Sequence, residues 1–95
     1  NNPAAAREWY QKAAKKGHAT AQYVVGRMFE AGWGVRKDYI SAYAWYCLAA
    51  QKRDTVMAFN KEYDPKMAFD RVTKLLNSSQ MNLAKKKYQS LKSSQ

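Results

Sequence analysis

The chain reads as an all-α protein, an α/α solenoid of helix-turn-helix repeats closed by a C-terminal helical cap. Three observations predict this. First, Ala6, Trp9, Tyr10, Ala13 and Ala14 recur 36 positions later as Ala42, Trp45, Tyr46, Ala49 and Ala50. A fixed period of roughly 20–50 residues marks a solenoid or array, and a match that includes Trp is a poor candidate for chance. Second, these residues are spaced by three and four, the spacing of one buried helix face. Third, alanine is abundant while Gly (4) and Pro (2) are few, which favours helix over sheet.

Asn2-Pro3 opens the first helix, with Asn as N-cap and Pro at the first helical position. It runs to about Lys16 and stops at Gly17, a natural C-cap residue. A second helix spans roughly Ala19 to Ala31, with Ala21, Val25, Met28 and Phe29 on one face. Gly26 in its middle costs about 1 kcal/mol against Ala, which implies close approach by a neighbouring helix. Gly32-Trp33-Gly34-Val35-Arg36-Lys37 is the turn, where the two glycines permit backbone angles other residues avoid and Val35 plugs back into the core. Asp38 caps a third helix, Tyr39 to about Gln51, the repeat of the first.

Beyond this point the period fails. Lys52-Arg53-Asp54 stands where the first copy has Lys16-Gly17-His18. Thr55–Tyr63 is a short amphipathic piece. Asp64-Pro65 is an N-cap and first-turn proline, opening a helix with Ala68, Phe69, Val72, Leu75 and Leu76 on one face. Asn77-Ser78-Ser79 breaks it, and Ser78 or Ser79 is expected to cap the last helix. There Met81, Ala84, Tyr88 and Leu91 form a stripe, Lys85 and Lys86 point away, and Ser93-Ser94-Gln95 frays. The predicted organisation is therefore a repeat region over 1–54, with a half unit at 1–17 and a full unit at 18–54, and a cap over 55–95. Terminal repeats are atypical and polar outside, or the stack would go on recruiting.

The apolar share of 46%, with three Trp, seven Tyr and three Phe, is enough for a packed core. The first residues are Asn1 and Asn2, with no initiator Met, as expected of a piece of a longer protein in which any targeting signal would lie upstream. No apolar run approaches the roughly 18 residues of a membrane span. The single cysteine, Cys47, excludes an intrachain disulfide, and its alanine- and aromatic-rich helix predicts a buried, inert thiol. The formal charge of +10 is spread over both halves and is suited to acidic partners or anionic surfaces.

The residues of the second helix, its turn and the third helix resemble the Sel-one-like repeat family, relatives of the tetratricopeptide repeat. The resemblance rests on Ala21, Val25-Gly26, Phe29, Gly32-Trp33-Gly34-Val35, Asp38, Ala42, Trp45-Tyr46 and Ala49-Ala50, and it covers residues 2–54. With Ala6, Trp9, Tyr10, Ala13 and Ala14 these positions form the repeat-core signature. The ending Leu75-Leu76-Asn77-Ser78-Ser79-Gln80, followed by Leu83-Ala84, is similar to the closing helices of many bacterial members. Arg53 replaces the family's usual glycine and marks the end of the array. Some members are disulfide-rich and act on β-lactams. With one cysteine and no serine-lysine pair at helical spacing, that activity does not transfer. The resemblance implies a bacterial source, often the cell envelope, although the compartment itself is not readable.

The resemblance also implies a right-handed stack in which the first helix of each pair lines the concave side. Thr20, Val24 and Arg27 share a flank of the Ala19–Ala31 helix and are the expected groove residues. Arg27 is the polar anchor, since guanidinium matches carboxylate geometry, and a structural bridge to Glu30 or to a neighbouring unit is its competing role. Trp33 is either an exposed anchor for a partner or packs on the next helix. Trp9, Tyr10, Trp45 and Tyr46 are assigned to the inter-helix core. The lone His18 reads as a solvated loop residue, and neither a cofactor nor a metal site is expected from the scattered carboxylates. No pair of titratable groups suggests general acid–base catalysis, so the chain is read as a non-enzyme.

The expected function is a protein–protein interaction scaffold holding a partner segment in the concave groove. The alternatives are a basic binder of nucleic acid or lipid, and a purely structural cap. Nucleic acid is disfavoured because the aromatics are committed to the core and no nucleic-acid motif is present. The truncated N-terminal face, Trp9 included, is expected to support a homodimer, since about three repeats are usually needed for a stable stack.

Overall fold

A computed structural model describes residues 2–95. Six helices follow one another: α1 (Pro3–Lys15), α2 (Ala19–Ala31), α3 (Tyr39–Ala50), α4 (Arg53–Phe59), α5 (Pro65–Thr73) and α6 (Ser78–Ser93). Among the described residues there is no strand.

Local chemistry sets the helix starts. The Asn2 side chain accepts from the Ala4 and Ala5 N–H groups, Asp38 from Ser41, and Asp64 from Lys66 and Met67. Each satisfies donors that have no partner inside the first turn. His18 is exposed in the loop between α1 and α2, as expected, and has a role besides. Its Nδ1 accepts from the Ala21 N–H at 3.1 Å and caps α2. The last helix is capped by Asn77 rather than by either serine, in a reciprocal box with Gln80. Both glycines of the α2–α3 turn are left-handed, Gly32 at φ +73 and Gly34 at φ +74. The turn is closed by the Asp38 N–H donating to the Phe29 carbonyl at 2.8 Å.

The α2–α3 pair is the centre of the molecule. Gly26 is where the two helices meet: a Cβ there would stand 2.5 Å from Tyr46 Cδ1. Tyr46, Met28, Val25, Val56 and Val72 are fully buried, and Trp45 is buried beside them. α1 packs on α2, α4 also leans on α2, and α5 and α6 pack on α3. α5 contributes Ala68 and Val72, and α6 contributes Ala84 flanked by Met81, Tyr88 and Leu91. Leu75 departs from its expected place on the buried face of α5: the helix ends at Thr73, and Leu75 lies exposed beyond it.

Two expectations about the chain ends fail. Ala6 and Trp9 belong to the repeat signature, yet Ala6 is exposed and Trp9 is 55% exposed, which departs from the core assignment and agrees with the expected exposure of the N-terminal face. Their counterparts Ala42 and Trp45 are covered because α3 is packed from several sides, whereas α1 packs chiefly on α2. The end of α6 does not fray freely either. Gln95 Nε2 donates to the Ala14 carbonyl at 3.1 Å, and its Oε1 accepts from the buried Gln22 at 3.0 Å. The last residue is thereby tied to the α1–α2 corner.

Candidate functional site

The α2 flank that should face a groove does so only in part. A cavity of about 410 Å³ opens beside α2, lined by Tyr10, Val24, Arg27, Ala31, Trp33 and Tyr63. Val24 is 8% exposed and forms apolar wall, while Arg27 is exposed. Thr20 departs from expectation. It is 7% exposed and is not among the lining residues. It lies in the first turn of α2, a helix on which α4 leans, so the C-terminal half of the same flank carries the open site.

Three elements besides α2 shape the cavity. Tyr10 comes from α1, where its ring meets Trp9 edge-on at 5.2 Å. Trp33 is presented by the turn, whose left-handed glycines flank it, and is 43% exposed. The Arg7 guanidinium lies over its ring at 5.6 Å, a cation–π contact. Tyr63 precedes α5 and stacks on Tyr23 at 4.7 Å. Trp33 therefore faces the cavity and also packs, through Arg7, on α1. Tyr10 and Tyr63 were not expected here. Tyr10 had been assigned to the core by the repeat, and Tyr63 lies in the non-repeating part.

Charge is unevenly distributed around the cavity. No Asp or Glu lines it, and Arg27 makes no ion pair among the described residues. The expected Arg27–Glu30 bridge is absent because Glu30 is already taken. Arg71 on α5 grips it through two hydrogen bonds of 2.7 and 2.8 Å, and the Tyr46 hydroxyl donates to it at 2.7 Å. The Arg71 hydrogen bonds hold the Glu30 carboxyl below its usual range, against burial that pushes it up. Burial, then the hydrogen bond to Glu30, pushes the Tyr46 phenol far up. This three-residue network joins α2, α3 and α5 and fixes the surroundings of Arg27. Near the start of α5, Arg53 grips Asp64 in the same two-pronged way at 2.9 and 2.8 Å.

The remaining candidates are structural in position. Cys47 is half-buried, and burial pushes its thiol up against the opposing charge of Lys92, an unreactive setting. Among the described residues no group of three or more His, Cys, Asp or Glu is placed to hold a metal ion. No helix is long and apolar enough to cross a membrane.

A Sel1 repeat family model matches this chain twice, over residues 1–18 and 19–54. A stretch of 44 residues is 54% identical to the protein named chitin synthase regulatory factor 3 of Schizosaccharomyces pombe, covering 46% of this chain. That stretch is 5% of the fungal protein, so the chain spans a small part of the relative's length. A bacterial source gains no support, since this relative is fungal. No solved structure matches. Sel1 repeats generally mediate protein–protein interaction. With its repeated Trp-Tyr-x-x-Ala-Ala helix, its glycine turn and its all-helical architecture, the chain belongs to the Sel1 repeat family.

Proposed function

We propose that this chain is a protein–protein interaction scaffold that holds a segment of its partner in the groove beside α2. One observation carries the reading: the cavity framed by Tyr10, Val24, Ala31, Trp33 and Tyr63, with Arg27 unpaired at its side. Its volume of about 410 Å³ is large enough for side chains of a partner, within the roughly 300–1,000 Å³ of ordinary ligand clefts. Aromatic and Arg residues are the types enriched where interfaces draw their energy. Residues 55–95 are proposed to cap a repeat region over 1–54 and to supply one wall of the groove through Tyr63.

The test is photo-crosslinking from two positions. A crosslinker replacing Ala31 reports on the groove, and one replacing Ser90, exposed on α6 and not among the lining residues, is the control. The proposal expects a discrete adduct from the first and not the second, lost in Arg27→Glu and in Trp33→Ala. Equal adducts from both positions, or adducts that survive both substitutions, overturn it.

A second reading has its own observation. Lys15 and Lys87 flank a smaller cavity of about 270 Å³ that is also lined by Trp45 and Leu91. A nucleic acid or anionic lipid bound there through the +10 charge would dissociate steeply with salt and be insensitive to Trp33→Ala. The exposed α1 face around Trp9 is proposed as a homodimer contact of this segment. Deleting residues 1–16 without change in oligomeric state counts against that.

A further inference from the structure

The arginines of this chain divide into two groups. Arg53 and Arg71 each hold a carboxylate with two parallel hydrogen bonds, to Asp64 and Glu30. Among the described residues Arg7 and Arg27 hold none, although the two converge on Trp33: one guanidinium lies over the ring and the other shares its cavity. Arg36, in the same turn, is also unpaired but does not line the cavity. The nearby carboxylate able to compensate Arg27 is Glu30, and Arg71 and Tyr46 occupy it. What remains is a cleft with apolar and aromatic walls and one lining guanidinium, Arg27, with the Arg7 guanidinium outside the lining but stacked on Trp33, on a chain of net charge +10.

We infer that the occupant of this groove is an acidic peptide segment carrying an apolar side chain, a proposal that rests on the groove reading above. The apolar side chain seats between Tyr10, Val24, Trp33 and Tyr63. Flanking Asp or Glu carboxylates take the two-pronged contact from Arg27 and Arg7 that Glu30 takes from Arg71. Charge-assisted pairs of this geometry are roughly twice as strong as neutral hydrogen bonds and carry orientation as well as energy. The positive field also speeds encounter with an acidic partner. A nucleic-acid strand fits the same charge less well. One face of Trp33 is covered by Arg7 and one face of Tyr63 by Tyr23, which leaves a walled pocket rather than open stacking platforms.

The experiment is selection of a random peptide library displayed on yeast against the full 95-residue chain. Enriched peptides are then synthesised and titrated by fluorescence anisotropy at low and high salt. Arg27→Gln, Arg7→Gln and Trp33→Ala are titrated beside wild type, with circular dichroism confirming that each variant folds. Analogues with Glu and Asp changed to Gln and Asn, and an oligouridine competitor, complete the set. The expected result is enrichment of acidic peptides with one apolar residue. Their affinity should fall about tenfold or more in Arg27→Gln and in the amidated analogues, and be lost in Trp33→Ala. Peptides that lack acidic residues yet need Trp33 overturn the acidic occupant and leave the groove reading standing. Peptides indifferent to Trp33→Ala, or no enrichment at all, overturn both. Oligouridine that binds in place of the peptides and needs the same residues overturns the choice of peptide over nucleic acid.

Discussion

Gly26→Ala tests the packing of the whole molecule with one methyl group. In an exposed helix this change stabilises by about 1 kcal/mol, because Gly is the poorer helix former. Here the added Cβ would lie 2.5 Å from Tyr46 Cδ1, 2.6 Å from Cε1 and 3.1 Å from Cγ. The first two distances are shorter than carbon atoms tolerate, so something must move. The Tyr46 ring is fully buried, and its hydroxyl is bound to Glu30, which Arg71 holds from the other side. Relief therefore requires either parting α2 from α3 or turning the ring and breaking the hydroxyl contact. Overpacking of this kind costs about 1–3 kcal/mol, and the double anchoring of the ring puts this site toward the upper end. Subtracting the gain in helix propensity leaves a net loss of about 1–2 kcal/mol. For a domain of this size that lowers Tm by about 4–16 °C. Urea denaturation followed by circular dichroism, with Tm from a thermal scan, gives both quantities. The partner experiment is a double-mutant cycle with Tyr46→Leu, which removes the ring. The cost of Gly26→Ala should shrink by at least about 0.5 kcal/mol in that background. A Gly26→Ala protein as stable as wild type or more so, or a cost unchanged by Tyr46→Leu, refutes the claim that this glycine exists to let the helices touch.

The Glu30 carboxyl sits below its ordinary range when folded, so its contribution is complete above the ordinary glutamate value and is lost as pH falls through the folded value. Stability measured down the acid limb should therefore fall less steeply in Glu30→Gln than in wild type, and equal slopes would remove Glu30 from the account. Arg71→Ala should cost about 1 kcal/mol, modest because the guanidinium is half-exposed, and should speed amide exchange in α5 before it affects α1. Asn77→Ala removes the side-chain half of the capping box on α6, leaving the backbone N–H at position 77 to Gln80, and should cost about 1 kcal/mol in chemical denaturation, whereas Ser78→Ala and Ser79→Ala should be near neutral. Cys47 should react with a thiol reagent far more slowly in the folded chain than in urea, since burial raises its pKa; equal rates would contradict its placement.

The part of the fold that repeats was legible because the same physical demand appears twice in the sequence. A side chain facing a neighbouring helix must be Ala, Trp or Tyr at fixed offsets, and a glycine must stand where two backbones meet. Gly26 and the glycine turn follow from such demands. What a repeat does not encode is what covers it. Ala42 and Ala6 occupy equivalent positions, as do Trp45 and Trp9, yet one set is buried and the other exposed, because α3 is packed from several sides and α1 is not. The site divides along the same line. Arg27 and Trp33 could be placed from their helix face and their turn. Thr20 could not, because a helix wheel does not reveal which neighbouring elements bury the first turn of α2. Tyr63 was missed for the opposite reason: it lies outside the period, and only the stack on Tyr23 brings it to the cavity. Proximity in sequence offers Glu30 as one alternative partner of Arg27, yet Arg71, 41 positions away, takes it because two hydrogen bonds outweigh mere nearness.

The groove is a joint product of the repeat and the helices that follow it, and this bears on what those helices are for. A cap whose sole task is to close the array need only be polar outside and apolar inside. These helices do more at two points. Tyr63 supplies a wall of the cavity. Arg71 removes Glu30 from circulation, and without that bond Glu30 would be free to neutralise Arg27 from the same helix. The positive character of the groove therefore depends on a residue that does not line it. A repeat carrying the same signature but not followed by these two residues would lack both contributions, so a site of this composition would be particular to a unit that is followed by them. In Arg71→Ala, ligand affinity at the groove should accordingly fall even though Arg71 does not line it, and it should recover when Glu30 is changed to Gln as well. That recovery is what a purely structural role for Arg71 would not produce.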